Sequence, residues 1–268
     1  MRIRRLEDKL GIHGSPTCEL QFDYAPALLV CERRRGLTTY VMSLMNGASL
    51  AIAAQAQGIA EAAWRAAAKY AQERVQFGAP IGELTAVRAM LADMKVSLEA
   101  ARALLYETAL MVDTKEVLEH RLAQLTAPEV GAGGPSAAGA EGGIDELKTL
   151  RAELKTYTRL AALFTPLAKA CCTEMANTVA YESLQIHGGS GYMRDFAVER
   201  HSRDARITNI YEGTTQLQVV AAIGGVLGGT LAAQLDEYDA EDFGATPELL
   251  ERVQRARARL TGAIARVR

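Results

Sequence analysis

The chain has 268 residues, which is enough for one large domain or two small ones. Hydrophobic residues make up 49% of it and aromatic residues only 6%, which is typical of a soluble helical protein and unlike a β-sandwich or a disordered chain. The net charge of −2 provides no basic field to attract nucleic acid, and no apolar run is long enough to span a bilayer.

The remaining composition predicts a cytoplasmic protein without a metal centre. The N-terminus, MRIRRLEDKLG, lacks the apolar core of a signal peptide. The four cysteines have no CxxC spacing and are expected to be buried thiols. The four histidines are scattered, and none pairs with a cysteine or a carboxylate at ligand spacing, so no metal site is predicted.

The first thirty residues differ from the rest of the chain. Residues 2–30 alternate short apolar and polar runs around a Gly-Ser-Pro turn signal, which predicts one or two short strands and a loop. Two strands alone do not make a stable sheet. The segment therefore either packs on the helices or is the tail of a larger domain.

Helical periodicity begins at Gly36 and dominates the rest of the chain. The first helix is rich in alanine, as expected for a helix buried among others, and Gly78 and Pro80 end it. Apolar residues at helical spacing predict further helices over residues 84–113, 145–186, 196–210 and 215–231. The pattern predicts a mainly α protein, built as an antiparallel bundle of long helices.

Two segments depart from this pattern. Residues 125–145 are rich in Gly, Ala and Pro, which predicts a flexible insert. Residues 235–268 form a C-terminal extension whose last part is predicted to be a basic amphipathic helix. Such a helix is able to contact an acidic partner or a membrane surface. The favoured interpretation is a solvated helix that packs one face on its neighbours.

Two stretches contain residues suited to bind a phosphate or a planar ring. In QIHGGSGY, Gly188, Gly189 and Gly191 let the backbone approach a ligand closely, although a helix stop with a tight turn is the favoured interpretation of the glycines alone. No strand precedes these glycines, so they are not a dinucleotide fingerprint. In ERVQFG, Arg74 is able to hold a phosphate and Phe77 to pack on a ring, but the stretch is first interpreted as a charged helix end.

Charge pairs follow at helical spacing. Glu199 and Arg203, and then Arg200 and Asp204, are each four residues apart, so each pair lies on one face of the predicted helix. Taken alone, these pairs predict a solvated, ion-paired face.

Glu212 is the candidate general base. Its neighbours Ile207, Ile210 and Tyr211 predict apolar surroundings, in which a carboxylate has a raised pKa and works as a base near neutral pH. Gly213 beside it gives a ligand access to the backbone. A solvent-exposed carboxylate at a helix end is an equally good interpretation of these residues alone.

Taken together, these stretches resemble the C-terminal half of an acyl-CoA dehydrogenase. The matches occur in order: EDKLGIHGSPTCEL, GIAEAAWRAAAKYAQERVQFGAPI, LADM, LQIHGGSGY and ERHSRDARITNIYEGTTQLQ. GIHGSPTCEL and the Gly-rich insert resemble the longer, methylmercaptopropionyl-CoA dehydrogenase type. The resemblance implies a helical bundle domain over residues 33–234, with residues 1–32 as a short β remnant of the family's middle β-domain.

The resemblance also implies an FAD-linked reaction. In this family a glutamate removes the α-proton of an acyl-CoA thioester while the β-hydrogen leaves as hydride to FAD, which gives a 2-enoyl-CoA. Glu212 matches that base, and its backbone N–H, with a flavin ribityl hydroxyl, would polarise the thioester carbonyl. Tyr211 and Gly213 would contact the substrate. Some members place the base at a position that aligns with Ala48, which cannot act.

The cofactor contacts follow from the same resemblance. Thr214 and Gln216 match flavin contacts, and Arg74 and Phe77 match residues that reach the FAD of a neighbouring subunit. The turn that meets the pyrophosphate and adenosine half of FAD across that interface matches Gln185, Ile186, His187, Gly188 and Gly189. Ser49 stands where many members have an arginine near the base.

Partners are implied as well. The family's bundle builds subunit contacts, so a homo- or hetero-oligomer is expected, as is an electron-accepting flavoprotein or another acceptor. Because the family's N-terminal helical domain and most of its middle domain have no counterpart in this sequence, two alternatives stay open. One is a fragment that needs a partner chain to complete the flavin site. The other is a non-catalytic helical assembly subunit.

Overall fold

The computed structural model describes residues 1–30, 32–36, 42–126, 140–242, 244 and 246–267, without the side chains of residues 42–46, 140–144 and 267. Within these residues the elements are β1 (Arg2–Leu6), β2 (Cys18–Gln21), α1 (Met42–Glu73), β3 (Val75–Gln76), β4 (Ala79–Pro80), α2 (Thr85–Thr126), α3 (Ala140–His187), α4 (Val198–Ala205), α5 (Thr215–Leu227), α6 (Thr230–Ala240) and α7 (Pro247–Val267). Short 3₁₀ turns occupy Ile81–Glu83 and Gly188–Tyr192. The prediction of a mainly α protein is confirmed.

Helix ends differ from the prediction at the insert. Helix α2 continues thirteen residues beyond residue 113, to Thr126, because Leu118, Leu122 and Leu125 extend its apolar spacing. Helix α3 begins at Ala140 rather than at residue 145. Helix therefore occupies both edges of the predicted insert, whose residues 127–139 lie outside the described part of the chain.

Glycines and turns shorten two other predicted helices. The helix predicted over residues 215–231 ends at Leu227, because Gly229 has a φ of 89° that a helix does not accommodate. The pair α5 and α6 is bent by 72° there. No single described helix is both long and apolar enough to cross a membrane, and only that bent pair passes the length and composition test together. The helix predicted over residues 196–210 is limited to α4, and turns follow it.

The N-terminal segment forms a two-stranded antiparallel ribbon that is tied to α4 by its loop. Arg2 pairs with Gln21 and Leu6 with Cys18. In the loop, the Ile12 N–H donates to Asp204 Oδ1 at 2.6 Å, and Arg203 donates to the Leu10 carbonyl at 2.9 Å. Of the two predicted charge pairs, Arg203 does bind Glu199, at 2.7 Å. Asp204 instead holds the loop.

The chain divides into two compact units. The first unit contains Met1–Tyr106 and Ala168–Gln218. Its core is built on a stripe of fully buried alanines of α1, at residues 53, 56, 60, 63, 67 and 71. These pack with Leu98 and Ala101 of α2 and with Cys172, Ala176 and Val179 of α3. Small side chains at helical spacing let helices approach closely.

Hydrogen bonds from side chains to the backbone of a neighbouring helix accompany this close packing. Gln57 donates to the Leu98 carbonyl at 3.0 Å, and the buried Ser183 hydroxyl donates to the Ala63 carbonyl at 2.9 Å. Because buried polar groups need partners, these bonds fix the packing of α1 against α2 and α3.

The second unit contains Glu107–Leu167 and Val219–Arg268. A Cβ at Gly225 would lie 3.0 Å from the Leu163 side chain, so α5 approaches α3 closely here. Tyr238 donates to Glu107 at 2.9 Å, and burial raises the pKa of Tyr238. Helix α7 packs on α6 through Arg257, which bonds to Asp236 and Asp239. This contact agrees with the favoured interpretation of the C-terminal helix. The assignments of residues 1–32, 33–234 and 235–268 as domains remain predictions.

The expectation that all cysteines are buried is wrong. Of the described cysteines, Cys172 is buried, Cys18 is half-buried and Cys171 is exposed. Cys31 lies outside the described residues. Burial, with a smaller contribution from Cys171, raises the pKa of Cys172 to about 12. Cys171 is exposed because its neighbour Cys172 is the residue that faces the core at this point of α3.

Candidate active site

The Tyr211–Gly213 turn joins the turns after α4 to the start of α5. The Thr208 N–H donates to the Ala205 carbonyl at 3.1 Å, and the Tyr211 N–H donates to the Ile207 carbonyl at 3.1 Å. Glu212 then takes a φ of 51° and Gly213 a φ of 89°, so both lie in the left-handed region. A non-glycine residue adopts that conformation only where its surroundings enforce it.

The side chain of Lys169 binds the carbonyl groups of this turn. It is 1% exposed and belongs to α3, and its Nζ donates to the carbonyl oxygens of Tyr211 at 2.6 Å and Glu212 at 3.1 Å. It also donates to the Gly213 carbonyl. Burial lowers the pKa of Lys169, and the charge of Glu212 opposes that shift. Three consecutive carbonyls are thus held by one ammonium group.

A second side chain holds two of the same carbonyls. The amide of Gln218, which is buried in the first turns of α5, donates to the Glu212 carbonyl at 3.0 Å and to the Gly213 carbonyl at 3.1 Å. A Cβ at Gly213 would lie 2.7 Å from that amide nitrogen, so glycine is required by packing as well as by φ.

The backbone N–H groups lie on the side of these peptide units opposite to the carbonyls. In the part of the chain that the structure describes, the backbone N–H groups of Glu212, Gly213 and Thr214 have no hydrogen-bond acceptor. They are three consecutive donors at an accessible turn, an arrangement that binds an anion or a polarised carbonyl oxygen.

The Glu212 side chain is exposed, so the apolar burial predicted for it is wrong for this chain. Ile207 and Tyr211 are half-buried, and they line a cavity of about 480 Å³ between residues 9–17 and 203–211. The Tyr211 hydroxyl donates to Gln55. Apolar neighbours in sequence therefore form a cavity beside the turn, while the carboxylate itself faces solvent.

Thr214 and Gln216 are exposed at the start of α5, next to Glu212. Between them, Thr215 points the other way and donates to Glu174 of α3, which also accepts from Asn209 at 3.1 Å. These contacts fix the start of α5. Ser49, at the position where many acyl-CoA dehydrogenases carry arginine, is buried in α1.

The glycine-rich turn at the end of α3 rests on an aromatic cluster. The His187 ring stacks on Tyr70 with centroids 4.3 Å apart, and Phe196 packs edge-on against both rings. Burial lowers the pKa of His187, although its hydrogen bond with the Ser183 carbonyl opposes the shift. The Tyr70 hydroxyl donates to Ser190 within the turn at 3.2 Å.

The predicted cofactor residues of this turn have two different environments. Gln185, Gly188 and Gly189 are exposed and accessible to a ligand. Ile186 and His187 are buried, and Ile186 belongs to the core cluster. The side chains of Ile186 and His187 therefore support the turn, and their contribution to binding would come from the backbone.

Arg74 and Phe77 lie on the β3–β4 hairpin. The Phe77 ring is 92% exposed at its tip, where Phe77 has a φ of 54° and Gly78 a φ of 87°. The Arg74 side chain is exposed, and the backbone N–H of Arg74 donates to the Tyr70 carbonyl at 2.9 Å. Tyr70 therefore links the hairpin to the glycine-rich turn.

The structure thus brings the predicted residues together in two groups. Tyr211, Glu212, Gly213, Thr214 and Gln216 form the first. The hairpin and the glycine-rich turn form the second, linked through Tyr70. Sequence reasoning missed the residues that support each group, Lys169, Gln218 and Tyr70. Only Lys169 left a signal, as a lysine among the apolar residues PLAKACC of α3.

Comparisons with known proteins identify the family of this chain. Residues 35–132 and 150–223 match the family model of the acyl-CoA dehydrogenase C-terminal domain. The short-chain specific acyl-CoA dehydrogenase of Megasphaera elsdenii is 36% identical over 82% of this chain and 47% of that protein. The 3-methylmercaptopropionyl-CoA dehydrogenase of Ruegeria pomeroyi is 34% identical over 94% of this chain and 41% of that protein.

A solved structure gives the same result. The acyl-CoA dehydrogenase of Bacillus anthracis complexed with FAD superposes with a TM-score of 0.66 at 25% identity, over 87% of this chain and 36% of that one. The chain spans somewhat less than half the length of the curated relatives. The matched region includes the Glu212 turn, the hairpin and the glycine-rich turn. The chain therefore belongs to the acyl-CoA dehydrogenase family and contains its C-terminal helical domain.

Proposed function

We propose that this chain carries the catalytic half of an FAD-dependent acyl-CoA dehydrogenase, which converts an acyl-CoA thioester to a 2-enoyl-CoA. The observation that carries the proposal is the Tyr211–Gly213 turn. It presents an exposed carboxylate beside three N–H groups that have no acceptor among the described residues, and the buried Lys169 and Gln218 hold it from the other side. A base next to carbonyl-binding donors is the arrangement needed to remove a proton α to a thioester.

The reaction divides between the chain and its cofactor. Glu212 takes the α-proton as the Cα–H bond breaks, and its own N–H donates to the thioester carbonyl oxygen, where negative charge develops. Tyr211 and Gly213 flank the bound thioester. When bound, FAD supplies the acceptor for the hydride that leaves the β-carbon.

The residues present fit FAD. A Cβ placed at Gly188 or Gly189 would meet no described atom within 4 Å, so the backbone of this turn is open to a phosphate. Arg74 forms no ion pair among the described residues, and its exposed guanidinium suits a pyrophosphate. The exposed Phe77 ring suits a planar ring system, and Thr214 and Gln216 offer polar contacts at the flavin end.

The substrate class is an acyl-CoA thioester. This assignment rests on the family and on relatives that are a short-chain specific acyl-CoA dehydrogenase and a 3-methylmercaptopropionyl-CoA dehydrogenase. An electron-accepting flavoprotein or another acceptor would reoxidise the flavin, in a cytoplasmic homo- or hetero-oligomer.

A flavin site completed by another protein surface is favoured by exposed apolar residues. Phe77 is 92% exposed at the tip of its hairpin, and Tyr24, Leu28 and Val30 are at least as exposed in the N-terminal segment. Such large side chains clustered on one segment indicate a covering surface. This observation also supports the alternative of a helical assembly subunit without catalysis.

The test is flavin reduction. We expect the purified protein to be yellow and its flavin absorbance to bleach anaerobically when butyryl-CoA or 3-methylmercaptopropionyl-CoA is added. Glu212→Gln should retain the flavin, and its rate of bleaching should fall at least about 1,000-fold, because the base is removed while the N–H donors remain. The matched control is Glu153→Gln, an exposed glutamate of the second unit, which should bleach like the wild type.

Other outcomes separate the alternatives. Flavin bound only after a second polypeptide is added would support the fragment that needs a partner. Protein without flavin under every condition would favour the assembly subunit, and bleaching by Glu212→Gln at the wild-type rate would place the base elsewhere.

A further inference from the structure

Lys169 is an unusual buried charge. It is 1% exposed, yet none of the described carboxylates lies within ion-pair distance of it. Its acceptors are the backbone carbonyls of Tyr211, Glu212 and Gly213. An ammonium group has three N–H donors, so one acceptor for each donor compensates the loss of water. Burying a lysine is costly, and an apolar residue would fill this core position without that cost.

The geometry of the peptide unit gives this contact a consequence on the opposite side of the turn. The described peptide bonds are all trans, so each carbonyl points opposite to the N–H of the following residue. The carbonyls of Tyr211, Glu212 and Gly213 are therefore paired with the N–H groups of Glu212, Gly213 and Thr214. These are the three N–H groups without acceptors among the described residues. When Lys169 draws the three carbonyls to one side, the three N–H groups are presented on the other.

We propose that Lys169 is a positioning residue that holds the turn so that the N–H of Glu212 is preorganised to donate to the thioester carbonyl oxygen. The use of this N–H for a thioester rests on the proposed function. Lys169 touches neither substrate nor cofactor in this role. It acts through the three peptide units and fixes the left-handed φ of Glu212, and with it the direction of the carboxylate.

The electrostatics favour the same role. A positive charge next to the carbonyl oxygens polarises each peptide unit, which makes the N–H on its far side a stronger donor. Gln218 supports the carbonyls of Glu212 and Gly213 without a charge and leaves the Tyr211 carbonyl to Lys169 alone. The N–H paired with that carbonyl belongs to Glu212, the donor nearest to the base.

The experiment compares Lys169→Met with Lys155→Met in the flavin-loaded protein. Methionine fills the space of lysine without its donors, and Lys155 is an exposed lysine of the same helix. Per bleachable flavin, we expect Lys169→Met to lower kcat about 100-fold or more with KM within about 3-fold, the size of effect seen when an oxyanion donor is misplaced. Lys155→Met should match the wild type. A purely structural role would lower stability and the fraction of active protein, but not kcat per active site.

A second readout does not depend on turnover. In a crystal structure of Lys169→Met, the φ of Glu212 should leave the left-handed region, and the Glu212 N–H should point in another direction. If Lys169→Met does not fold, Lys169→Gln serves instead, since it keeps two donors, and an intermediate loss of kcat is expected.

The outcomes keep the two hypotheses apart. A wild-type protein without turnover, together with a rearranged Glu212 in the variant, would refute the proposed reaction and leave the positioning role standing. An active wild type whose Lys169 variant keeps full kcat, or keeps the Glu212 turn unchanged, would overturn the positioning role.

Discussion

Two turns of this molecule have nearly the same φ values but are supported in different ways. Glu212 and Gly213 have φ values of 51° and 89°, and Phe77 and Gly78 have values of 54° and 87°. In each pair a non-glycine residue in the left-handed region precedes a glycine. That conformation costs a non-glycine residue about 1–2 kcal/mol, so each turn needs a compensating interaction.

The compensation differs. The Glu212 turn is held from behind by the buried side chains of Lys169 and Gln218. The Phe77 turn is a two-residue hairpin loop with positive φ at both positions. The pairs Val75–Pro80 and Gln76–Ala79 close it, and the Ile81 N–H donates to the Arg74 carbonyl at 2.8 Å. The first is therefore supported by distant parts of the chain, and the second by its own strands.

The difference indicates how each turn works. A strained residue with a deeply buried support keeps one geometry, as a catalytic base requires. An exposed phenylalanine on a turn that its own strands hold is accessible to a ligand, which agrees with the cofactor contact proposed for Phe77.

The largest difference between the two turns is expected when the glycine of each is replaced by alanine. Gly78→Ala should lower the free energy of unfolding by about 1–2 kcal/mol, because alanine is strained at this φ although no described atom lies within 4 Å of the new Cβ. Gly213→Ala should cost about 2–4 kcal/mol. Its Cβ would lie 2.7 Å from the Gln218 amide and displace two hydrogen bonds as well.

Urea unfolding of the two variants measures these costs. Gly14→Ala is a control, because Gly14 has no positive φ and open space around it, and it should change stability little. Equal costs at Gly78 and Gly213 would mean that the side-chain support contributes nothing to the Glu212 turn.

Local sequence patterns predict the helices, but not the side chains that support the Glu212 turn. Spacings of three and four residues predict the bundle, because burial of one helix face is a local pattern. Lys169 lies 42 residues from Tyr211, and no local pattern indicates that a lysine inside an apolar stripe bonds to a distant turn. Only the approach of α3 to that turn creates the contact.

The charge pairs of α4 also show that local spacing does not predict contacts with distant residues. The Glu199–Arg203 pair follows from helical spacing, and the structure contains it. Asp204 has the same spacing from Arg200, but it bonds instead to the N–H of Ile12, 192 residues away. A free backbone donor in the N-terminal loop competes for this carboxylate, and that competitor is invisible in the local sequence.

Asparagine at the two strained positions gives a smaller effect. Asn tolerates the left-handed region better than Phe or Glu does, so Phe77→Asn should raise the free energy of unfolding by about 0.5–1 kcal/mol. Glu212→Asn should raise it less, because the charge of Glu212 favours the buried Lys169. Thermal unfolding tests both, with Gln76→Asn, in strand β3, as the control that should bring no gain. A loss of stability in Phe77→Asn would contradict the strain assigned to Phe77.

The smallest effect is a dependence on pH that only the Glu212 turn should show. Burial lowers the pKa of Lys169 in the folded chain below its ordinary value of 10.5, against the opposing charge of Glu212. Between the lowered pKa and 10.5, the unfolded chain holds a proton on Lys169 that the folded chain has released. The contribution of Lys169 to the free energy of unfolding therefore rises with pH in this window and is constant below it.

The measurement is urea unfolding of the wild type and of Lys169→Met at pH 8 and pH 10. Groups common to both proteins, Tyr211 included, cancel in the difference between their free energies of unfolding. The loss of stability in Lys169→Met should therefore be larger at pH 10. The hairpin provides the matched control, because residues 75–80 contain no titratable side chain. The deficit of Gly78→Ala should thus be the same at both pH values. If the loss of free energy of unfolding in Lys169→Met is instead smaller at pH 10, the fold stabilises the ammonium form of Lys169. The three carbonyl contacts would then stabilise the ammonium by more than its burial costs.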